Sequence, residues 1–450
     1  MARKRKKTSK TISMPVVNPR AAGIDIGSRS HYVCVSQDKV VEFGVYTEDL
    51  HRIAIHLQHH QIETVALEST GFFWKPLFVL LQDYGFEVIL VNARHVKNVK
   101  GHKTDVVDSK WLQLLHSIGL LSNSFQPDLY TSTLRVYTRH RKSLVERASS
   151  YISKMNKLLV LMNIQLSNVL ADIAGASGSK VIEAILSGER DPDHLAGLVS
   201  PRIKASREEV KKALVGDWRD EYLFELKQVY EMYRFYWKQI RATDEEIEKH
   251  LEGKDKSTDV DRQDFKPQTR KGYQKNDPKI DIGGHGYEMS GGIDLTQIPG
   301  VGLMTLLTLI SETGMDLSSF PSGKHFASWL GYAPNQKVSG GKVLSAHTRK
   351  KTQPLALAIR DAANAAGNSH TRLGDAFRRI AYRKGRSVAI AAVGRKIAMI
   401  IYAMLRDGNP YSYDYSEDEQ SKQKIRQLKK MIKTMKKYSI SSSELDLAIA

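Results

Sequence analysis

A chain of 450 residues that is 41% hydrophobic and 26% charged has room for two to four domains with their own cores, and too much apolar content for wholesale disorder. Lys and Arg outnumber Asp and Glu by 68 to 49, a net charge of +19, which points to a polyanionic partner such as nucleic acid, because counterions condensed on phosphates are released when cations replace them. One cysteine, Cys34, excludes an intramolecular disulfide framework and any cysteine-based zinc finger.

Residues 1–20, opening MARKRKKTSK, read as a basic, flexible tail with no apolar stretch of a secretory signal. Ordered structure is predicted from Ala21. AAGIDIG reads as a buried strand, and HYVCVSQD and VVEFGVYTED as two more strands joined by polar turns. A helix fits 50–60, TVALES is a fourth strand, a helix starts near Phe72, FEVILVN is a fifth strand, and a further helix begins at Thr104. Three strands, helix, strand, helix, strand, helix is an α/β layer pattern with a mixed sheet, and it matches the connectivity of the RNase H-like fold over 21–128.

From 129 to 251 the pattern is helical. Leu144, Ala148, Tyr151, Met155, Leu158 and Met162 recur in steps of four and three, as do Leu226, Tyr230, Tyr233, Trp237, Ile240, Asp244, Ile247 and Leu251. These a/d spacings fit two long helices packed in one bundle, or an antiparallel coiled-coil arm that also dimerises; heptads do not separate the two. Residues 252–292 are polar and glycine-rich and read as a linker or insertion. A second, mainly helical globular segment is expected over 293–410, then a basic tail, 411–450, with an amphipathic helix around KQKIRQLKKMIKTMKKY. The most apolar late stretch, 387–405, is interrupted by Arg395 and Lys396, so no membrane partner is expected.

Asp25 lies in the middle of the first strand between Ile24 and Ile26, where a carboxylate is costly without a counter-charge. Glu68 ends the fourth strand. Asp105 and Asp108, three apart, share one face at the start of the Thr104 helix. With the first and fourth strands adjacent at the sheet centre, all four acids converge, and such a cluster needs divalent cations. Oxygen-only ligation suits Mg²⁺ or Mn²⁺. Taken singly, Asp105 and Asp108 are also ordinary first-turn acids favoured by the helix dipole, and the G-I-D-I-G turn also occurs in actin-like ATPases, whose further phosphate and adenosine motifs are not evident here.

The second segment opens I-P-G-V-G into the apolar run LMTLLTLI. Gly300 and Gly302 are candidates for backbone contact with a phosphate, or simply a tight turn at a helix start. Farther on, GYAPNQKVSGGKVLSAHTRKK forms an exposed loop in which Ser339 precedes Gly340-Gly341 and is flanked in sequence by Lys337, Lys342, Arg349, Lys350 and Lys351. These cations are candidate nucleic-acid contacts, and arginines can stabilise a pentavalent phosphate transition state. Among the loop serines, Ser339 is one turn residue of several, with Ser345 a near competitor.

In this order, G-I-D-I-G, L-E-S-T-G, K-T-D-V-V-D, G-E-R-D-P-D-H-L (188–195), I-P-G-V-G, and G-Y-A-P followed by S-G-G resemble the DEDD transposases of insertion sequences, now also described as bridge-RNA-guided recombinases. The resemblance runs over nearly the whole chain. It implies a RuvC-like nuclease domain, a coiled-coil region and a C-terminal transposase domain with a helix-hairpin-helix-like element. It also implies a metal set of Asp25, Glu68, Asp105 and Asp108, a nucleophilic Ser339, donor and target DNA, a structured guide (bridge) RNA, and a homo-oligomer, dimer or tetramer. The expected location is then a prokaryotic cytoplasm, at the nucleoid. The family often has Asn-Pro after the fifth strand, where this chain has Asn92-Ala93. The rival readings are a metal-dependent nuclease or junction resolvase without serine chemistry, a non-catalytic nucleic-acid binder, and an ATPase.

Four other features carry less. His56 and His60 have zinc spacing but no third ligand, Asp259 and Asp261 form no complete calcium loop, Cys34 reads as a buried thiol, and the aromatics of 226–240 read as core.

Overall fold

Strands form where the apolar residues alternate, and the first five do so here as a single sheet. In a computed structural model of the chain, the described residues are 14–69, 71–92, 104–254, 260–266, 276–335, 337–345, 348–412 and scattered positions between 421 and 435. The chain divides into two units, Met1–Gln126 and Pro127–Ala450.

In the first unit, β1 (Ala21–Ile26), β2 (His31–Ser36) and β3 (Lys39–Phe43) are antiparallel neighbours, while β4 (Thr64–Glu68) runs parallel to β1 and β5 (Glu87–Val91) parallel to β4. The order β3-β2-β1-β4-β5 is a mixed sheet compatible with an RNase H-like domain. The crossover helices α1 (Thr47–His59) and α2 (Trp74–Asp83) bury Ile53, Leu57, Leu77 and Leu81 against Ala22, Ile24, Ile26, Val65, Leu67, Val88 and Leu90. The third helix, α3 (Asp105–Ser117), covers the opposite face, with Leu112 against Ala66 and Val91. The expected third strand VVEFGVYTED stops at Phe43. Its acidic end instead starts α1, where the Asp49 carboxylate accepts the Tyr46 backbone N–H at 3.3 Å, as acids at helix starts commonly do.

In the second unit, α4 (Leu129–Leu161) and α9 (Asp220–Glu252), each of 33 residues, pack side by side and antiparallel. Tyr130 stacks on His250 at 4.3 Å between ring centroids, Arg141 pairs with Asp244, and Tyr151 stacks on Tyr236 at 5.5 Å. The polar Asp244 sits at a seam position because the buried Arg141 faces it. Between these helices, α5 (Leu166–Val169), α6 (Ala176–Leu186), α7 (Pro192–Gly197) and α8 (Arg207–Ala213) close over the same core.

The stretch 276–292, expected within a polar linker, is built into the fold. Ile280, Ile282 and His285 are buried on α10 (Ile282–Met289) or just before it, and Gly286 packs on Leu306 of α11 (Leu303–Thr313). Its glycines permit that close helix contact, which composition alone reads as looseness. Next come α12 (Gly323–Trp329), the hairpin β6 (Lys337–Ser339) and β7 (Lys342–Ser345), α13 (Pro354–Ala366), α14 (Arg372–Lys384) and α15 (Arg386–Asp407). Contrary to expectation, α15 is long and apolar enough to cross a membrane by length and composition, with a mean hydropathy of 1.8. Half of that window is buried, with Ala389, Val393, Ile397 and Ile401 inside, and the helix packs on α12, α13 and α14. The expected basic tail's residues 1–13, the loop 93–103, Asp259 and most of 411–450 lie outside the described residues.

Candidate active site

Side chains alternate along a strand, so the face of one residue fixes its neighbours. Ala22, Ile24 and Ile26 of β1 and Val65 and Leu67 of β4 belong to the α1–α2 core. Asp25 and Glu68 therefore stand on the α3 face. The β1–β4 register pairs Ala21 with Thr64 and continues through Ile24 with Leu67, which brings Asp25 and Glu68 to the same end of adjacent strands. Both are half-buried.

α3 lies antiparallel to β1. Val17 and Asn18, ahead of the strand, donate their backbone N–H to the Ser117 carbonyl, and the Gln113 side chain donates to the Ala21 carbonyl at 3.2 Å. One turn earlier, the Ser109 carbonyl sits over Gly23; a Cβ there would lie 2.3 Å from the Gln113 N and 2.7 Å from the Ser109 O. One α-helical turn spans nearly the same rise as two strand residues, so the next step pairs Asp105 with the level of Asp25. Asp108 continues the sheet-facing stripe that includes Ser109 and Leu112. Thr104 caps the helix by accepting the Val107 N–H at 3.3 Å. Gly23, which the motif reading passed over, makes this approach possible. Its signal was a glycine two residues before Asp25 on the same face.

Continued in this way, the ladder runs toward the end of the sheet at which Asp25 and Glu68 stand. Asp105 is exposed and Asp108 half-buried, and Asp25, Glu68 and Asp108 each engage a partner. Among the described residues, no three His, Cys, Asp or Glu side chains are grouped so as to hold a metal ion. The donor chemistry, all carboxylate oxygen, fits a hard dication.

Ser339 ends β6 and pairs with Lys342 of β7. Gly340 and Gly341, at φ 55° and 78°, form the two-residue loop, and two successive positive φ values are what a type I′ hairpin requires. Ser339, Lys342, Arg349 and Lys350 are exposed. Lys351 is spoken for: its ammonium lies 4.4 Å over the Tyr332 ring and donates to Thr348 Oγ1 at 3.3 Å, and burial, then nearby Arg360, lowers its pKa. Nothing is described of the Lys337 side chain. Gly302 opens α11 with free space beside it, whereas Gly300 is fixed by packing, since a Cβ there would meet the Ala362 carbonyl of α13 at 2.1 Å.

The His56 and His60 rings touch at 4.6 Å, and among the described residues no third donor completes a metal site. Cys34 is buried, and burial pushes its thiol up to about 11. Asp261 caps a short turn by accepting the Gln263 N–H. Tyr230 and Tyr233 are buried in the helical core, the Tyr230 hydroxyl donating to Glu183 at 2.6 Å.

The mixed five-stranded sheet with helices on both faces is compatible with an RNase H-like domain. Comparison with known families supplies the particular one. Residues 22–164 match a DEDD transposase family of the IS110 type, described as "Transposase", and residues 294–377 match "Transposase IS116/IS110/IS902 family". An uncharacterized 43.6 kDa protein of insertion element IS110 from Streptomyces coelicolor is 34% identical over 122 residues, 26% of this chain and 29% of that protein. The chain thus spans less than a third of the length of that curated relative. The chain belongs to the IS110 family of DEDD transposases.

Proposed function

We propose that the chain is a DNA transposase that exchanges strands between donor and target DNA, through a RuvC-like acidic site and a serine nucleophile. What supports this best is the close approach of α3 to β1 at Gly23 and Ala21, a ladder that, carried one step on, would bring Asp105 and Asp108 toward the end of the sheet where Asp25 and Glu68 stand. Those four residues would hold Mg²⁺ or Mn²⁺, which when bound supplies charge neutralisation and polarisation of phosphodiester oxygens.

Ser339 Oγ attacks the scissile phosphorus as its proton leaves. The P–O3′ bond breaks, and the departing 3′ oxygen takes up a proton to become a free hydroxyl. The product is a 5′-phosphoserine link. A 3′-hydroxyl of another strand then attacks that phosphorus, and Oγ leaves and regains its proton, so the sequence is energetically near-neutral in bonds made and broken. The hairpin turn exposes Ser339, and Lys342, Arg349 and Lys350 supply positive charge along the same loop for the phosphate. A structured bridge RNA would choose both DNAs by base pairing, leaving the protein to read backbone and shape, and a dimer or tetramer would bring the metal and serine sites of different copies together.

The test is a labelled-DNA reaction in Mg²⁺. Ser339→Ala should abolish the covalent protein–DNA adduct and leave nucleic-acid binding within about twofold of the parent, and Asp25→Ala should stop strand exchange. An adduct that persists in Ser339→Ala removes that serine and leaves a metal-dependent nuclease or resolvase. Full exchange by Asp25→Ala removes the acidic site.

A further inference from the structure

The geometry points to the outer face of α14 as a docking surface for single-stranded DNA, with Tyr382 stacking on an unpaired base between Arg379 and Arg383. The helix is sharply two-faced. Leu373, Gly374, Ala376 and Phe377 are buried, while Arg379, Tyr382, Arg383 and Lys384 are exposed. Tyr382 is 93% exposed. Positions three and four apart are neighbours on a helix surface, so Arg379, Tyr382 and Arg383 form one contiguous patch.

Among the described residues these side chains brace no other element. Asp375 is the helix's one acid, and it is already paired with Arg378, which also donates to the Gly367 and Ser369 carbonyls. Beyond the patch, Arg386 is tied to Asn364. Among the described residues, Arg379, Tyr382, Arg383 and Lys384 have no side-chain hydrogen bond or ion pair. A ring 93% exposed is not part of the core, and among the described residues these cations take part in no salt bridge.

An aromatic ring flanked by unpaired guanidiniums suits a strand whose phosphates meet the arginines while a base covers the ring. A duplex keeps its bases stacked on one another and offers such a ring no face. A chain of a DNA transposase family meets unpaired bases whenever strands separate for exchange, and this selects single-stranded DNA as the occupant. The surface needs neither the metal nor the serine, so it stands or falls apart from the proposed chemistry.

The experiment uses the full chain and fluorescence anisotropy with three probes of one sequence: a single-stranded DNA of about 16 nucleotides, the upper site size of single-strand grooves, its duplex, and the RNA equivalent. Tyr382→Ala should weaken binding to single-stranded DNA roughly tenfold and to duplex less than about twofold, the loss expected of one stacked base. Tyr382→Phe should restore it. Arg379→Ala with Arg383→Ala should lower the salt slope by about 1.4, roughly 0.7 per phosphate contact. Unchanged single-strand binding by Tyr382→Ala, an equal loss on duplex, or a loss confined to RNA would each overturn the assignment. The binding assay is run without divalent metal, so capture of the strand reads out separately from the proposed chemistry.

Discussion

Gly23→Ala tests whether α3 is seated by backbone contact. The added methyl would lie 2.3 Å from the Gln113 N and 2.7 Å from the Ser109 O. Both atoms are backbone, so no side chain can turn aside. Reaching ordinary contact at 3.4 Å requires the helix to retreat by about 1 Å, in a packed interior that resists such shifts. Overpacking of this kind costs about 1–3 kcal/mol. The larger consequence is positional, because Asp105 and Asp108 ride on the displaced helix while Asp25 and Glu68 stay on the sheet. A misplacement of about 1 Å can cost on the order of a hundredfold in rate. Denaturant unfolding followed by circular dichroism reads the stability, and Mg²⁺-dependent strand exchange reads the activity. Exchange should fall far more than the loss of folded protein explains. A Gly23→Ala protein with parental stability and parental exchange would refute the seating of α3 and the acidic site built on it.

Two further perturbations probe the frame of each unit. His116 is buried beneath the sheet, with Nε2 2.9 Å from Thr64 Oγ1, and burial pushes its pKa down to about 4, against about 6.5 in an unfolded chain. Between those values the unfolded state binds a proton that the folded state refuses, so stability is complete above about pH 6.5 and falls as pH drops toward 4. His116→Gln should flatten that fall in melting temperature, and an unchanged pH profile would contradict it. In the second unit, buried Glu312 of α11 accepts Arg139 Nε and Nη2 of α4, each at 2.8 Å. Because the Arg139 side chain is half exposed, Glu312→Leu should cost about 1.5–3 kcal/mol, the range for hydrogen bonds to a charged group. Combining it with Arg139→Leu should cost less than the sum of the two singles, and strict additivity in denaturant unfolding would deny the coupling.

Much of the first unit was legible because its signals are local and mutually consistent. AAGIDI and TVALE are short apolar runs of strand length bounded by turn residues, and Thr104 ahead of Asp105 reads as a cap, which the Val107 N–H confirms. The end of β3 was not legible, since VVEFGVYTED keeps strand-like residues past Phe43 while Glu48 and Asp49 favour a helix start. The stretch 276–292 misled for a related reason: glycine reads as looseness in composition, yet Gly286 is where α10 touches Leu306. The heptads marked α4 and α9 as long helices with an apolar seam but left open whether they pack within one chain or also dimerise, and the reason for Asp244 among them needed Arg141 from a position 103 residues away.

The candidate site divides along the same line. Which face each acid occupies follows from strand alternation, so Asp25 and Glu68 could be grouped from sequence order once β1 and β4 were neighbours. How closely α3 approaches could not, because it depends on the absence of a side chain at Gly23, and a missing atom leaves no apolar or charged signal to read. Basic residues show the opposite failure. Lys351 and Arg349 look alike in sequence, yet one lies over the Tyr332 ring and the other is exposed. Charge content predicts that a polyanion is met, but only packing separates the cations that brace the fold from those left over to meet it. By that criterion Arg379, Arg383 and Lys384 of α14 stand beside Lys342, Arg349 and Lys350 around the serine hairpin as exposed cations, while Lys351 and Arg378 brace the fold.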